Sequence, residues 1–231
     1  MRPGPESGQC PAFRFASANA MKGIVSIIDD DLQLRRMLDS LLRAEGHVVR
    51  LYGSTAEYAA YPRAAAPACL LLDIQLSGEN GLDFQEVLCA RGDNTPVVLM
   101  TGHGDIPMTV RAMRAGAIDF LPKPFEAEQL LAAVARALEV DRRQMADAAE
   151  VAEIAVRYGQ LSTREREVMA LVVAGLMNKQ IAARLGISEV TVKIHRGQVM
   201  RKMAAPSFAD LVRMAEQLGV RDPNIGRYSG T

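Results

Sequence analysis

Five short apolar runs separated by amphipathic stretches constrain this chain more than any other feature. Residues 24–28, 48–51, 68–72, 97–100 and 118–121 read as short strands, the third and fourth almost wholly apolar. Strands with no polar face need cover on both sides, which helices supply in a parallel sheet. Between the runs, Leu34, Leu38, Leu41 and Leu42 recur at helical spacing, and Val87 with Leu88 or Val110 with Met113 offer smaller buried stripes. Five strand and helix units predict an α/β fold, a doubly wound five-stranded parallel sheet. Its ligand site is expected beyond the carboxyl ends of the strands.

The polar residues can be placed against that frame. Asp29 and Asp30 follow the first run, Asp73 closes the third, Thr101 closes the fourth and Lys123 follows the fifth. All five therefore gather at one edge. Clustered carboxylates repel one another and ask for a hard cation such as magnesium. A lysine and a hydroxyl beside them would complement phosphoryl oxygens. Taken singly, each has a plain explanation: an aspartate after a strand often caps the next helix, and a lone lysine is usually solvated. Their joint placement favours a site. Asp31, one step further on, fits a helix start, and His103 fits a loop because no second His or Cys stands at ligand spacing.

With 231 residues there is room for two domains of roughly 100 residues each. An apolar content of 49% with 23% charged residues suits folded protein rather than disorder. The net charge of zero hides an asymmetry: residues 160–231 carry 11 Lys and Arg against 6 Asp and Glu, and the remainder is acidic by the same margin. Two parts of opposite charge suggest different partners. Cys10, Cys69 and Cys89 form no CxxC pair, so a disulfide framework or zinc site is not expected and a reducing, cytoplasmic setting is. No apolar run has the length to cross a bilayer, so no membrane partner is expected. Residues 1–22 read as a flexible tail in which Met21 offers a second translation start.

The basic part has its own pattern. Leu130, Leu131, Val134 and Leu138 give the last helix of the first domain a buried stripe, and no Pro or Gly follows until Gly159. A helical linker over 139–159 is expected, with Val151, Ile154 and Val156 open either to a docking contact or to a turn into the second domain. Ser162 and Glu165 stand at capping-box spacing, Val168, Leu171 and Val172 form a stripe, and Gly175 ends that helix. Residues 178–185 form a second helix with Ile181, Ala182 and Leu185 inward. Gly186 is the turn, and Ser188 caps a third helix, running to about Met203, with Val192, Val199 and Met203 in the core. Two short helices joined at a glycine make a helix-turn-helix. Its outward face carries Thr191, Lys193, His195, Arg196, Arg201 and Lys202, which suits the DNA major groove. Leu211, Val212, Ala215 and Leu218 fall on one side of a fourth helix, completing an all-α four-helix domain.

Two resemblances then add to these readings. Ile28-Asp29-Asp30, Leu71-Leu72-Asp73, Gly78-Glu79-Asn80-Gly81-Leu82, Met100-Thr101-Gly102-His103-Gly104 and Leu121-Pro122-Lys123-Pro124-Phe125 resemble the receiver domain of two-component response regulators, over 24–138. The resemblance implies that Asp73 is the phosphoacceptor and that magnesium is held by Asp30, Asp73 and the backbone carbonyl of Gln75, with Asp29 acting through water. It also implies that Lys123 contacts the phosphoryl group, that the Thr101 hydroxyl turns toward it, that Phe120 is the switch aromatic, and that the Lys123–Pro124 bond is cis. Residues 161–167, 175–182 and 187–196 resemble the LuxR-type DNA-binding domain, which implies phosphate contacts from Lys179 and Thr191. Lys193 and Arg196 are then candidates for base or adjacent phosphate contact, with His195 at the DNA face and the last helix supplying a dimer contact.

This chain departs from the receiver pattern at Ser77, where many relatives have Pro, at Glu79, which replaces an apolar loop residue, and at Pro122; in the second domain Met177 replaces a small polar residue. The expected organisation is a tail over 1–22, a receiver over 23–138, a linker over 139–159, a LuxR-type domain over 160–218 and a tail over 219–231. The expected function is a response regulator, not an enzyme, phosphorylated on Asp73 by a sensor histidine kinase and binding promoter DNA as a phosphorylation-promoted homodimer. RNA polymerase is a further candidate partner. The stretch 101–108 points to the nitrogen-fixation and aromatic-degradation branch. A phosphatase of the haloacid-dehalogenase type is disfavoured because Gln75 stands where that class has a second Asp. The alternatives kept are a phosphorylation-independent regulator whose receiver is a dimerisation scaffold, and a protein-interaction output.

Overall fold

The computed structural model describes residues 23–63, 65–102 and 106–220. The expectations for residues 1–22, His103 and residues 221–231 lie outside the described residues. Contacts divide the chain into two compact units, with the break after Asp141.

The first unit alternates as its apolar runs require. Strands β1 (Ile24–Ile28), β2 (Val48–Tyr52), β3 (Ala68–Asp73), β6 (Val97–Thr101) and β7 (Asp119–Pro122) form one parallel sheet in the order β2-β1-β3-β6-β7. Every residue of β3 and β6 is buried, the outcome expected of strands covered on both faces. Helices α1 (Leu32–Ala44), α2 (Thr55–Ala59), α3 (Gly81–Ala90), α4 (Ile106–Arg114) and the part of α5 (Ala127–Gly159) up to Asp141 complete the unit. Between β3 and α3 a two-residue turn, Ser77-Gly78, joins β4 (Gln75–Leu76) antiparallel to β5 (Glu79–Asn80), with Gly78 at φ 85°.

Asp31 caps α1 as its position predicts, its carboxylate accepting from the amides of Gln33 (2.7 Å) and Leu34 (3.2 Å). Leu38 and Leu42 are fully buried, with Leu34 and Leu41 packed beside them. Full burial of each such leucine stabilises by about 2 kcal/mol. The expected stripes of the middle helices need correction. Leu88 is buried, but Val87, Val110 and Met113 are 41%, 44% and 49% exposed. Helix α4 turns inward on Ala112, with Met108 one turn earlier, while Arg111 reaches out to Asp83 and Glu86 on α3. The i,i+4 pair with a small residue wins because it lets the helix approach the sheet.

Helix α5 runs unbroken for 33 residues. Leu130, Val134 and Leu138 pack into the core of the first unit, and Leu131 packs against it. Asp141 is fully buried: its Oδ2 accepts from the Ala68 amide at 2.8 Å and its other oxygen pairs with Arg63. Next to that amide, burial and then the Asp141 charge push the Cys69 thiol up to about 12.

In the second unit α6 (Thr163–Val173), α7 (Asn178–Leu185), α8 (Glu189–Met203) and α9 (Phe208–Gln217) close a separate core. Val168, Ile181, Val192, Val199, Met203, Leu211 and Ala215 are at most 1% exposed. Ile154 turns into this core, whereas Val156 is exposed, which resolves the choice left open for the end of α5. Past α9, Val220 still packs on the core and donates its amide to Ala215, so the unit extends beyond Leu218.

Candidate functional site

Strand order reverses between β1 and β3, and a parallel sheet opens a crevice at such a point, outside its carboxyl ends. Asp29 and Asp30, just past β1, meet Asp73 at the end of β3. One carboxylate oxygen from each lies within 4.8 Å of the others. Asp29 and Asp73 are buried and Asp30 is exposed. Lys123, just past β7, donates from Nζ to Asp29 Oδ2 and to Asp73 Oδ2, both at 2.8 Å. Its amide donates to the Thr101 carbonyl at 2.6 Å, tying the end of β7 to the end of β6. Three further oxygens are engaged: Asp29 Oδ1 accepts from the Asp31 amide (2.8 Å), Asp73 Oδ1 from the Gln75 amide (3.2 Å) and Asp30 Oδ2 from the Ser77 hydroxyl (2.5 Å).

Burial raises the pKa of Asp29 above the ordinary carboxylate value, against the opposing pull of its Lys123 hydrogen bond. The Ser77 hydroxyl is the main influence holding Asp30 low. Burial alone would depress Lys123, but its hydrogen bonds to Asp29 and Asp73 and their charges prevail, so it is held above its usual value as an ammonium. One ammonium facing three carboxylates leaves the pocket negative. An all-oxygen donor set of this kind fits a hard divalent cation.

In the second unit, the glycine joining α7 to α8 is left-handed, Gly186 at φ 65°, and Ser188 caps α8 as expected. Lys179 and Lys193 are exposed, and Thr191 and His195 are half-buried. Thr191 Oγ1 lies 2.8 Å from Ser188 Oγ. Arg196 is also half-buried: it donates to Asn178 Oδ1 at 2.7 Å, and its guanidinium carbon lies 6.0 Å from the Phe208 ring centroid, bracing α8 against α7 and α9. Lys202 does not belong to the outward face. Its ammonium donates to Glu165 Oε2 at 2.7 Å, drawn in by a carboxylate that is 6% exposed.

Comparison with known proteins bears on both halves. Residues 25–135 match the response regulator receiver domain, and residues 159–215 match the luxR family of bacterial regulatory proteins. Nodulation protein W of Bradyrhizobium diazoefficiens is 49% identical over 199 residues, covering 86% of this chain and 88% of that protein. The chain belongs to the two-component response regulators. The response regulator protein TmoT of Ectopseudomonas mendocina is 41% identical over 87% of this chain and 91% of its own length. A solved structure of the response regulator StyR superposes with a TM-score of 0.72 at 42% identity, covering 85% of this chain and 99% of that one. Family membership implies a cognate histidine kinase and a DNA target, and a regulator rather than an enzyme. Among the described residues, no helix is long and apolar enough to cross a membrane.

For this response regulator the structure brings Asp29, Asp30, Asp73 and Lys123 together, with Thr101 buried at the neighbouring strand end and Gln75 two residues past Asp73. Phe120 is half-buried against the core, and Lys123–Pro124 is cis. Sequence reasoning missed the Ser77 bond to Asp30 and the Asn178 bond to Arg196. Ser77 was visible only as a departure from the family's Pro, and no local signal marks Asn178.

The Lys202–Glu165 pair gives a pH prediction. The Lys202 hydrogen bond, then the Ser162 amide, hold the Glu165 carboxyl down at about 2 from an ordinary 4.5. A depressed folded value means stability that is present above pH 4.5 and lost as pH falls toward 2. Urea unfolding of Glu165→Gln against wild type should therefore show a stability gap that is constant above pH 4.5 and closes below it. A gap unchanged down to pH 2 would contradict the pairing.

Proposed function

We propose that this response regulator accepts a phosphoryl group on Asp73 and in that state binds promoter DNA as a dimer. In this reading a receiver over 23–138 and a LuxR-type domain over 160–218 are joined by the linker 139–159. The observation that carries it is the Asp73 carboxylate: its Oδ2 shares Lys123 with Asp29 at 2.8 Å, beside the exposed Asp30.

The Asp73 oxygen attacks phosphorus, the P–N bond to the imidazole of a phosphorylated sensor kinase breaks, and the electron pair leaves with the imidazole. No external base is needed, because an ionised carboxylate is already a nucleophile. Lys123 orients Asp73 and then donates to a phosphoryl oxygen, and the Thr101 hydroxyl turns toward the same group. Magnesium, when held by Asp30, Asp73 and the Gln75 carbonyl with Asp29 through water, would neutralise phosphoryl charge. Phe120 changes its burial as Thr101 moves. Phosphorylation thereby shifts an existing equilibrium toward the dimer.

On DNA, Lys179 and Thr191 contact phosphates, and Lys193, His195 and Arg196 lie at the groove, with RNA polymerase as a further partner. The half-burial of Arg196 supports a phosphate contact for it over deep base reading. Intact mass with a small phosphodonor and magnesium tests the switch. Wild type should gain one phosphoryl group and form more dimer, and Asp73→Asn should do neither. Equal labelling of Asp73→Asn would overturn the assignment, and no labelling of wild type would favour the scaffold reading.

A further inference from the structure

We propose that Ser77 is a positioning residue for Asp30, holding that carboxylate toward the pocket before a metal ion arrives. The inference rests on the reading above that Asp29, Asp30 and Asp73 hold a divalent cation. Within the trio, Asp29 and Asp73 are buried and bonded to the Lys123 ammonium. Asp30 is exposed and makes no hydrogen bond to Lys123, so the device that fixes its neighbours does not fix it. Its side chain is held by the Ser77 hydroxyl, which reaches across 47 residues of sequence to Oδ2 at 2.5 Å.

That hydroxyl is itself firmly placed. Ser77 opens the two-residue turn of the β4–β5 hairpin, where Leu76 pairs with Glu79. On the far side of the turn, Glu79 Oε2 accepts from the Thr55 hydroxyl at 2.5 Å and from the Thr55 amide at 3.4 Å. Thr55 is buried at the start of α2. Two of the positions that depart from the family pattern, 77 and 79, thus anchor one turn to the end of β1 and to the start of α2. A proline at 77 has no hydroxyl to offer Asp30.

A carboxylate has about four lone-pair sites, and Ser77 occupies one of them on Oδ2. The backbone amides of Asp30 and Ser77 add to the hydroxyl's hold on the carboxylate, and only part of its acceptor capacity is left for a cation. Fixing the rotamer in advance removes an ordering penalty that binding would otherwise meet.

Binding to the full chain can be read without any activity, by the loss of the free Mn2+ electron paramagnetic resonance signal and by its recovery as Mg2+ competes. Outer partners of metal ligands are generally worth about 10–100-fold in affinity; the exposure of Ser77 places Ser77→Ala at about 3–10-fold weaker binding. Ser77→Thr, which keeps the hydroxyl, should bind within about twofold of wild type. Ser77→Ala binding as tightly as wild type, while Asp30→Asn has lost binding, would overturn the positioning role. No saturable binding to wild type, or full retention in Asp30→Asn, would overturn the metal reading beneath it.

Discussion

An alanine at Gly81 is expected to destabilise the receiver by about 3 kcal/mol and to slow labelling of Asp73 by about 100-fold. A Cβ built on Gly81 meets the Asp73 carbonyl oxygen at 2.2 Å, and the Asp73 carbonyl carbon and the Ile74 Cα at 3.0 Å. All three are backbone atoms, so no side chain can swing aside to make room. The Gly81 amide also donates to the Ile74 carbonyl at 2.9 Å, tying the start of α3 to the backbone just past the phosphoacceptor. Either α3 withdraws and breaks that bond, or the end of β3 bends. Bending moves Asp73 away from Lys123, and small misplacements of a nucleophile cost rate steeply. Urea unfolding and the time course of intact mass check both arms; wild-type values in both would refute the close approach.

Arg63→Met is expected to destabilise the first unit by about 3 kcal/mol, the low end for breaking a buried ion pair. Asp141 has a fully buried side chain, while that of Arg63 is 32% exposed, so the guanidinium keeps part of its hydration and the carboxylate keeps none. Without Arg63, Asp141 keeps the Ala68 amide but carries a buried charge that no cation offsets. Adding Asp141→Asn to Arg63→Met removes that charge and should recover about 1–2 kcal/mol. A double variant whose loss equals the sum of the two single losses would show that the groups do not couple.

Much of this architecture is legible in the order of residues because its causes are local. Apolar runs announce β1, β3 and β6, Asp31 and Ser188 cap the helices they precede, and Ser162 with Glu165 forms the expected capping box. The acidic cluster is legible for a related reason: parallel strands deliver all their carboxyl ends to one edge, so residues just past separate strands must meet. Contacts that depend on tertiary placement are not legible in this way. Arg63 and Asp141 lie 78 residues apart, and Ser77 and Asp30 lie 47 apart. Helix facing fails for another reason, since Val110 with Met113 and Met108 with Ala112 are both sound helical spacings. Only the neighbouring sheet and Arg111 choose between them. Lys202 shows the same limit, because nothing beside it in the chain marks Glu165 as its partner.

The central position of β3 has a consequence for how the protein is made. Strand β1 can pair with β2 once Tyr52 has emerged, but its other edge waits for β3, and β3 in turn waits for β6. During synthesis a strand that is wholly buried in the finished sheet is therefore bare on one side while the chain for its neighbour is still being added. Asp29 and Asp73 come from the two strands whose pairing ends the first wait. The carboxylate trio cannot exist in either fragment alone, so its assembly marks the pairing of the two middle strands, and Lys123 reaches it only after the last strand has been made.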